Sequence, residues 1–327
     1  MILIVSNPEL DGHVKPVTSE LSRRGVEWTV YDPAKFPGSS RVAIETTRTG
    51  VRAFLARDDG DFLDLSDVTA VWHRRPGDFE LSDLLLPEER EWVRNECAHL
   101  IRSLWGGGFL RGWVSDPEAV RRSSVKVTQL RIAGDMGFLI PRFTITNDVE
   151  KASAFISACS QGVIVKVLAD PGILYPNRAG TIYTHLVTDA DMSEIRSVRF
   201  GPTYLQEFIP KAMDIRVTVM GHDVFAVGIS SQGVRESRVD FRRAPAYTLP
   251  HEPVELPQDV SSLCVRLVRH LGLHFGAIDL VLTPDHEYVF LEINPNGQWY
   301  WLEEVTGIPL TAALCDLLIA QGSGTGR

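Results

Sequence analysis

The sequence predicts an α/β to α+β fold, and three observations support this prediction. With 327 residues the chain is long enough for about two domains of ordinary size. Its first segments have the patterns of a strand, a helix and a second strand, which is a β-α-β opening. Further along, helical segments alternate with many short apolar strands. We therefore expect helices that pack against sheets along the whole chain.

Composition and charge exclude several classes of protein. Hydrophobic residues form 44% of the chain and charged residues 23%, which excludes a disordered or fibrous protein. The formal net charge is −9, from 33 basic and 42 acidic residues, and it argues against a general nucleic-acid surface. No segment is long enough to cross a membrane, and the apolar start at Met1 predicts a strand rather than a signal peptide. The four cysteines form no C-x-x-C pair, so we expect reduced thiols in the cytoplasm.

The N-terminal part of the chain has the elements of a small α/β domain. The predicted strands are 2–5, 27–31 and 69–72, and the predicted helices are 14–24 and 87–105. The turn after the first strand lacks the glycine patterns that close a backbone around phosphate, so a nucleotide must bind elsewhere. Ser115 and Asp116 precede a proline suited to the first turn of a helix, which places a domain boundary near residue 115.

Strands outnumber helices in the rest of the chain. The predicted helices are 125–136, 148–159, 260–271 and one after Pro309. The predicted strands are 142–145, 162–168, 180–187, 203–208, 214–220, 223–230, 277–282 and 288–294. The loop 170–180 has two interpretations, a lid over a triphosphate or a plain connection.

The last strand pair carries the strongest chemical signal. If a two-residue turn is centred on Asp285 and His286, Asp279 lies directly opposite Glu292, and Asn294 shares a face with Glu292. Two carboxylates about 5 Å apart need a cation or a proton, and Mg²⁺ prefers such oxygen ligands together with nucleotide phosphates. The alternative is a surface hairpin whose carboxylates face water. The apolar residues around both carboxylates favour the metal.

Two lysines extend this signal. Lys166 lies in the centre of a β-branched apolar strand, where a buried ammonium needs an anion such as a phosphate. The alternative is a lysine at the strand end that reaches water. Lys126 lies on the helix that leads into this part of the chain, and most such lysines are solvated. Neither lysine indicates a site by itself.

A third pattern suits a nucleotide. The strand that contains Gln206 and Glu207 is followed by Asp214 and Arg216, which share one face because side chains alternate along a strand. Free backbone groups of an extended segment can read an adenine edge, a carboxylate accepts from ribose hydroxyls, and a guanidinium binds phosphate. An internal ion pair between Asp214 and Arg216 explains the motif equally well.

Taken in order, these residues resemble the nucleotide site of the ATP-grasp superfamily. Their joint order and spacing are far more specific than any one of them. The likeness narrows to the microviridin-type ATP-grasp ligases, also called graspetide synthetases, in the segments 71–76, 126–130, 137–141, 144–147 and 292–299. It covers nearly the whole chain and implies an ATP-grasp fold with three domains. These are an N-terminal α/β, or pre-ATP-grasp, domain (1–115), a small lid-bearing central domain (116–200) and a C-terminal domain for nucleotide and metal (201–327).

The resemblance also implies roles for individual residues. The implied Mg²⁺ ligands are Asp279, Glu292 and Asn294. The residues implied for ATP are Lys126, Lys166, Gln206, Glu207, Phe208, Ile209 and Asp214. The implied catalytic residues are Arg216, toward phosphate, and Arg242, toward the substrate carboxylate. Arg74 and Arg75 are weaker candidates for that carboxylate, and a surface or structural arginine is the alternative in each case.

By the same resemblance, the protein is an ATP-dependent ligase that matures a ribosomal precursor peptide. It would activate Asp or Glu side chains as acyl phosphates and close lactone or lactam rings with Ser, Thr or Lys side chains. The peptide, with its leader and acidic core, is expected to be a separate chain. Neither nucleic acid nor a membrane is expected as a partner, and a homodimer is expected only by family likeness.

Three alternatives remain open. A ligase of the same superfamily would join a free amino acid or amine to a peptide or small carboxylate. A kinase would leave the phosphate on its product. A nucleotide-binding module without catalysis is the third, and the intact trio Asp279, Glu292 and Asn294 argues against it.

Overall fold

Helices and strands alternate along the chain as predicted. A computed structural model describes residues 1–56, 60–169, 172–175, 178–244 and 246–324. Within these residues the strands build sheets in the N-terminal, middle and C-terminal parts of the chain. None of the described helices is both long and apolar enough to cross a membrane. Four residues of the predicted lid loop lie outside the described residues: Asp170, Pro171, Pro176 and Asn177.

The N-terminal domain is built on a parallel sheet. Helix Val14–Arg23 joins the first two strands, which is the predicted β-α-β unit. Val17 and Leu21 recur at helical spacing on this helix and are buried against the sheet. Helix Pro87–Gly106 packs on the opposite face. The strands lie in the order Trp28–Tyr31, Ile2–Val5, Ala70–His73 and Trp113–Val114.

A small antiparallel meander also covers this second face, and the sequence did not predict it. Its strands are Val42–Thr47, Gly50–Ala56 and Phe62–Asp64. Ala53 and Leu55 point into the core, whereas most of the first strand is exposed. Because the meander buries few residues, it has no long alternation of apolar and polar positions that would identify it.

His73 lies at the end of the third parallel strand in an aromatic environment. Its ring is 6.4 Å from that of Trp105 and 6.5 Å from that of Trp113, measured between centroids. Its buried Nδ1 has no hydrogen-bond partner within the described residues. Burial lowers the pKa of His73 from 6.5 to about 4, and Asp116 opposes this only weakly. His73 is therefore neutral in the folded protein at neutral pH.

Replacing His73 with phenylalanine should reduce the acid sensitivity of folding. Between pH 6.5 and pH 4 the unfolded chain takes up a proton at His73 and the folded chain does not, so stability falls as the pH falls. From pH 7 to pH 4.5, His73 contributes about 2–3 kcal/mol of this loss. Denaturant unfolding at both pH values checks the difference, and the exposed His99→Phe on helix Pro87–Gly106 is the control. An equal acid loss in His73→Phe and the wild type would contradict the prediction.

The middle part of the chain forms a small antiparallel sheet covered by helix Val149–Ala158. The predicted boundary at residue 200 falls inside this sheet, because the strand Thr203–Glu207 pairs on both sides within it. The single strand predicted at 180–187 is divided into Arg178–Thr181, which pairs with Gly172–Tyr175, and His185–Leu186. The sheet has the order His185–Leu186, Val163–Lys166, Thr203–Glu207 and Phe143–Thr146.

The C-terminal part forms a larger antiparallel sheet with helices on both faces. Helices Lys126–Asp135 and Gln258–His270 pack on one face. Helices Tyr300–Thr306 and Leu310–Gly322 pack on the other. The order of the strands is His251–Pro253, Asp223–Ile229, Met213–Met220, Phe275–Leu282 and Tyr288–Asn294. Among the described residues, the α-helices not yet mentioned are Pro117–Ser123 and Asp189–Ser193.

The last helix, Leu310–Gly322, packs between the N-terminal sheet and the C-terminal sheet. Leu310, Leu314 and Leu318 are buried in one cluster that also contains Ile4 and Trp72 of the N-terminal sheet. Burying these side chains between the sheets fixes the N-terminal domain against the C-terminal sheet. The cleft described next lies between the small and the large sheet.

Candidate functional site

The predicted pairing of the two carboxylates is present. Asp279 and Glu292 are direct partners across the strands Phe275–Leu282 and Tyr288–Asn294. Both carboxylates are largely buried, with 19% and 22% of their side chains exposed. The alternative of a surface hairpin facing water is therefore not what the structure shows.

The turn of this hairpin differs from the predicted one. The Thr283 amide donates to the Glu287 carbonyl, so the loop has three residues and is centred on Asp285. His286, the last of the three, has the left-handed backbone conformation, with a φ of 63°. This turn alone would shift the register by one residue. A bulge between Asp279 and Leu280 compensates for the shift and restores the opposition of the carboxylates.

Two lysines meet Glu292 in the cleft. The Lys126 Nζ, at the start of helix Lys126–Asp135, donates to Glu292 Oε2 at 2.9 Å. Burial opposes the ionisation of Glu292, but the charges of Lys166 and Lys126 outweigh it and hold the pKa of Glu292 well below its usual range. Burial lowers the pKa of Lys166, and the attraction of Glu292 opposes that shift. Lys166 is half-buried and lines the cleft, rather than reaching water at a strand end.

Arg216 pairs with Asp279 rather than with Asp214. Arg216 and Asp279 are partners on adjacent strands, and the Nη1 to Oδ1 distance is 2.7 Å. Asp214 is buried and accepts from Lys211 at 2.7 Å and from the Ser231 hydroxyl. Burial raises the pKa of Asp214, and the Lys211 charge opposes it. The predicted alternative of an Asp214–Arg216 pair is thus replaced by two separate ion pairs.

The predicted adenine segment reaches the cleft through one side chain. Gln206 is buried, accepts from the Tyr204 hydroxyl at 3.1 Å and lines the cleft. The strand ends at Glu207, whose amide bonds back to the Arg142 carbonyl. Phe208 and Ile209 follow it and are partly exposed.

Arg242 is held by a neighbouring carboxylate. Its Nε and Nη2 donate to the two oxygens of Asp240 at 2.8 and 2.7 Å. This fork raises the pKa of Arg242 above its ordinary value, although burial opposes the shift. Half of the Arg242 side chain is exposed, and it lines the cleft. Arg74, by contrast, is 2% exposed and is not among the residues that line the cleft. It is therefore a buried arginine within the fold and does not reach a substrate in this cleft.

The structure brings most of the predicted residues to one cleft of about 780 Å³, part of it open to solvent. Arg216 and Asn294 do not line the cleft themselves: Arg216 bonds to Asp279, which does, and Asn294 lies two residues beyond Glu292 on the same strand. Lys211 and Asp240 were missed, although they lie only three and two residues from their partners Asp214 and Arg242, because both stand in loops without an apolar repeat that would identify them. The predicted residues that line the cleft are Lys126, Lys166, Gln206, Asp214, Arg242, Asp279 and Glu292.

This chemistry fits a metal-bound nucleotide. Asp279, Glu292 and Asn294 offer the oxygen donors that Mg²⁺ prefers. Lys126 and Lys166 supply positive charge for phosphates beside them. The buried Arg216 Nε has no partner among the described residues, so a donor next to the carboxylates remains available for an anion. Such a site can neutralise the charge of a phosphoryl group in transfer.

Comparison with protein families matches both parts of the chain. Residues 124–318 match the model of the RimK-like ATP-grasp domain. Residues 1–121 match the MvdD pre-ATP grasp domain. The two matched segments contain all of the predicted site residues and the N-terminal sheet. The family similarity therefore covers both the candidate site and the N-terminal domain.

Comparison with known proteins identifies peptide-bound ligases. The macrocyclase MdnC from Microcystis aeruginosa MRC, solved with its precursor peptide MdnA, is 27% identical over 97% of this chain and 99% of that chain, with a TM-score of 0.86. An ATP-grasp ligase from Chryseobacterium gregarium, solved with ADP and a leader and core peptide, is 26% identical over 98% and 96%, with a TM-score of 0.89. The tetrahydromethanopterin:alpha-L-glutamate ligase of Methanocaldococcus jannaschii is 22% identical over 63% of this chain and 69% of that protein.

Proposed function

The chain belongs to the RimK-like ATP-grasp family, and on that premise we propose that it closes rings on a ribosomally made precursor peptide at the expense of ATP. The ATP-grasp fold with an N-terminal pre-ATP-grasp domain is confirmed. One observation carries the function. The carboxylates of Asp279 and Glu292 and the ammonium groups of Lys126 and Lys166 meet in one cleft of a chain that is similar, over nearly its whole length, to peptide-bound ligases.

The reaction has two steps. An oxygen of a peptide Asp or Glu carboxylate attacks the γ-phosphorus of ATP, the bond to ADP breaks, and an acyl phosphate forms. A hydroxyl or amine of the same peptide then attacks the acyl carbon and loses its proton, while phosphate leaves with the bonding electron pair. The products are an ester or amide ring, ADP and phosphate. Holding ATP and the peptide carboxylate in one cleft replaces a bimolecular encounter and can contribute about 7–11 kcal/mol in the best cases.

Each group of site residues has a role in this proposal. Mg²⁺, held by Asp279, Glu292 and Asn294, supplies positive charge at the transferring phosphoryl group. Lys126 and Lys166 hold the phosphates and the adenine side, and Asp214 meets the ribose. Gln206 to Ile209 border the adenine. Arg216, which already contacts Asp279, stabilises phosphate charge, and Arg242 orients the substrate carboxylate with the guanidinium that Asp240 fixes.

We propose that the enzyme works in the cytoplasm and acts on a separate peptide chain. The four described cysteines are free and buried, which suits a compartment that keeps thiols reduced. A homodimer stays a prediction from family likeness.

The test is the intact mass of a peptide after incubation with the protein and Mg·ATP. The peptide is a small acidic one, containing Ser, Thr or Lys, encoded beside this gene. We expect one water mass to be lost for each bond, together with one ADP released, because each ring closure removes water between two side chains. Mild alkaline hydrolysis then separates esters, which open, from amides, which persist.

The other outcomes identify the alternatives. A gain of phosphate mass would indicate a kinase. A mass gain that requires an added free amino acid would indicate a ligase of the glutamate-joining type, which the methanopterin relative represents. The absence of both a mass change and ADP release with every encoded peptide would contradict the proposed function.

A further inference from the structure

The loop that follows the candidate metal ligands is held by the N-terminal domain. This loop, 295–299, begins directly after Asn294 at the end of strand Tyr288–Asn294. Arg74, which follows the strand Ala70–His73 of the N-terminal sheet, reaches into it. Its Nη1 donates to the Asn296 carbonyl at 2.6 Å, to Asn296 Oδ1 at 2.9 Å and to the Gly297 carbonyl at 3.0 Å. The Asn296 side chain donates in return to the Arg74 carbonyl.

Asp11 holds the Arg74 side chain, and His13 links Asp11 to the far end of the loop. The Arg74 Nε lies 3.0 Å from Asp11 Oδ2, and burial of the guanidinium is nearly complete, with 1% of the side chain exposed. His13 Nε2 accepts from the Trp299 and Tyr300 amides at 3.1 and 3.3 Å. Its Nδ1 therefore carries the hydrogen and donates to Asp11 Oδ1 at 2.6 Å. These contacts bind both ends of the loop 295–299 to one cluster, which consists of Asp11, His13 and Arg74.

This cluster determines how the Asn294 side chain is presented. The Asn296 amide donates to Asn294 Oδ1 at 3.0 Å. That bond identifies Oδ1 as the oxygen of the carboxamide and uses one of its two lone pairs, so that the other stays available to a cation. The position of the Asn296 amide depends in turn on the two bonds that Arg74 donates to Asn296 and on the one that Asn296 donates to the Arg74 carbonyl. Because the loop approaches closely at Gly297, where a Cβ would lie 2.6 Å from Ala277 and 2.8 Å from Arg216, it has little freedom to find another arrangement.

We infer that Arg74 is a positioning residue for the metal, acting from the N-terminal domain through Asn296 upon Asn294. This inference rests on the proposed function, in which Asn294 holds Mg²⁺. Groups that orient metal ligands without touching the metal commonly change its affinity about 10–100-fold when they are removed. The N-terminal domain thus completes the metal site rather than only covering it.

The experiment is a titration of the full chain with Mn²⁺ in the presence of ADP, followed by electron paramagnetic resonance of free Mn²⁺. Mn²⁺ takes the same oxygen ligands as Mg²⁺, and the readout does not require turnover. We expect Arg74→Met to weaken Mn²⁺ binding about tenfold or more. Asn296→Ala, which keeps the backbone amide and loses the side-chain bonds, should weaken it in the same direction by a smaller factor. If Arg74→Met does not fold, Asn296→Ala tests the inference in its place.

The matched control is Arg24→Met. Arg24 also joins the N-terminal domain to the C-terminal part, donating to Asp316 and to the Ala312 carbonyl at 3.2 Å, but neither Arg24 nor these partners line the cleft. We expect this variant to lower the unfolding temperature and to leave Mn²⁺ affinity unchanged. Folded Arg74→Met with wild-type Mn²⁺ affinity, or an equal loss in Arg24→Met, would overturn the inference alone. Absence of Mn²⁺·ADP binding by the wild type would overturn the proposed function as well.

Discussion

Replacing Asp279 with asparagine should abolish ring closure. The substitution keeps the shape of the side chain but removes one of the two opposed carboxylates and leaves Arg216 without its ion-pair partner. If the pair holds Mg²⁺, the transferring phosphoryl group loses several kcal/mol of charge stabilisation. Since about 1.4 kcal/mol corresponds to a factor of ten, we expect the rate of ADP release to fall about a thousandfold or more. A coupled assay of ADP release with the peptide present measures it.

Asp285→Asn is the matched control for this variant. Asp285 is exposed in the turn of the same hairpin, so the identical chemical change there should leave the rate at the wild-type value. The unfolding temperature of both variants shows whether the hairpin is intact. Wild-type ADP release by a folded Asp279→Asn variant would exclude Asp279 as a metal ligand.

Replacing Lys166 with methionine should weaken ATP binding strongly. Lys166 contributes a half-buried positive charge to the cleft that also contains Glu292, and a hydrogen bond to a charged group is worth about 1.5–3 kcal/mol. We therefore expect kcat/KM for ATP to fall between about tenfold and a hundredfold. Steady-state ADP release at varied ATP concentration measures the change. Lys151→Met, at an exposed position on helix Val149–Ala158, is the control and should change nothing.

The pH dependence of ADP affinity gives this prediction a second test. Because burial lowers the pKa of Lys166, its ammonium loses the proton at a lower pH than an ordinary lysine does. A phosphate ligand favours the charged form, so ADP affinity in the wild type should decrease as the pH rises through that pKa. The decrease should be absent in Lys166→Met. An unchanged KM for ATP in Lys166→Met, with the same alkaline loss of affinity, would show that another group binds the phosphates.

The order of helices and strands was largely predictable, because long apolar repeats are local properties of the sequence. Strand Tyr288–Asn294 has the predicted bounds, and the predicted helices at 125–136 and 148–159 differ from the observed ones by one residue at each end. The meander over residues 42–64 and helix Tyr300–Thr306 were not predicted. The meander is mostly exposed on its first strand and therefore lacks a strong repeat.

The hairpin illustrates a correct prediction reached through a wrong turn. The pairing of Asp279 with Glu292 followed from an assumed two-residue turn, whereas the structure has a three-residue turn and a bulge that compensates for it. A bulge adds one residue to one strand without a distinct sequence pattern, so only the paired strands reveal it. The polar residues in apolar strands were nevertheless sufficient to identify the pair, because a buried carboxylate requires a partner wherever the turn lies.

The sequence by itself determined the resemblance to the ATP-grasp superfamily, the hairpin of strands Phe275–Leu282 and Tyr288–Asn294, and the charged residues that interrupt apolar strands. Their signals are local: a carboxylate or a lysine inside an apolar strand is costly without an opposite charge. Only the tertiary structure decided the actual partners, such as Glu292 with Lys126, Asp279 with Arg216 and Arg74 with the loop after Asn294. Side chains far apart in the chain become neighbours through the packing of sheets and helices, and an arginine beside a predicted site therefore has the same sequence pattern whether it binds substrate or supports the fold.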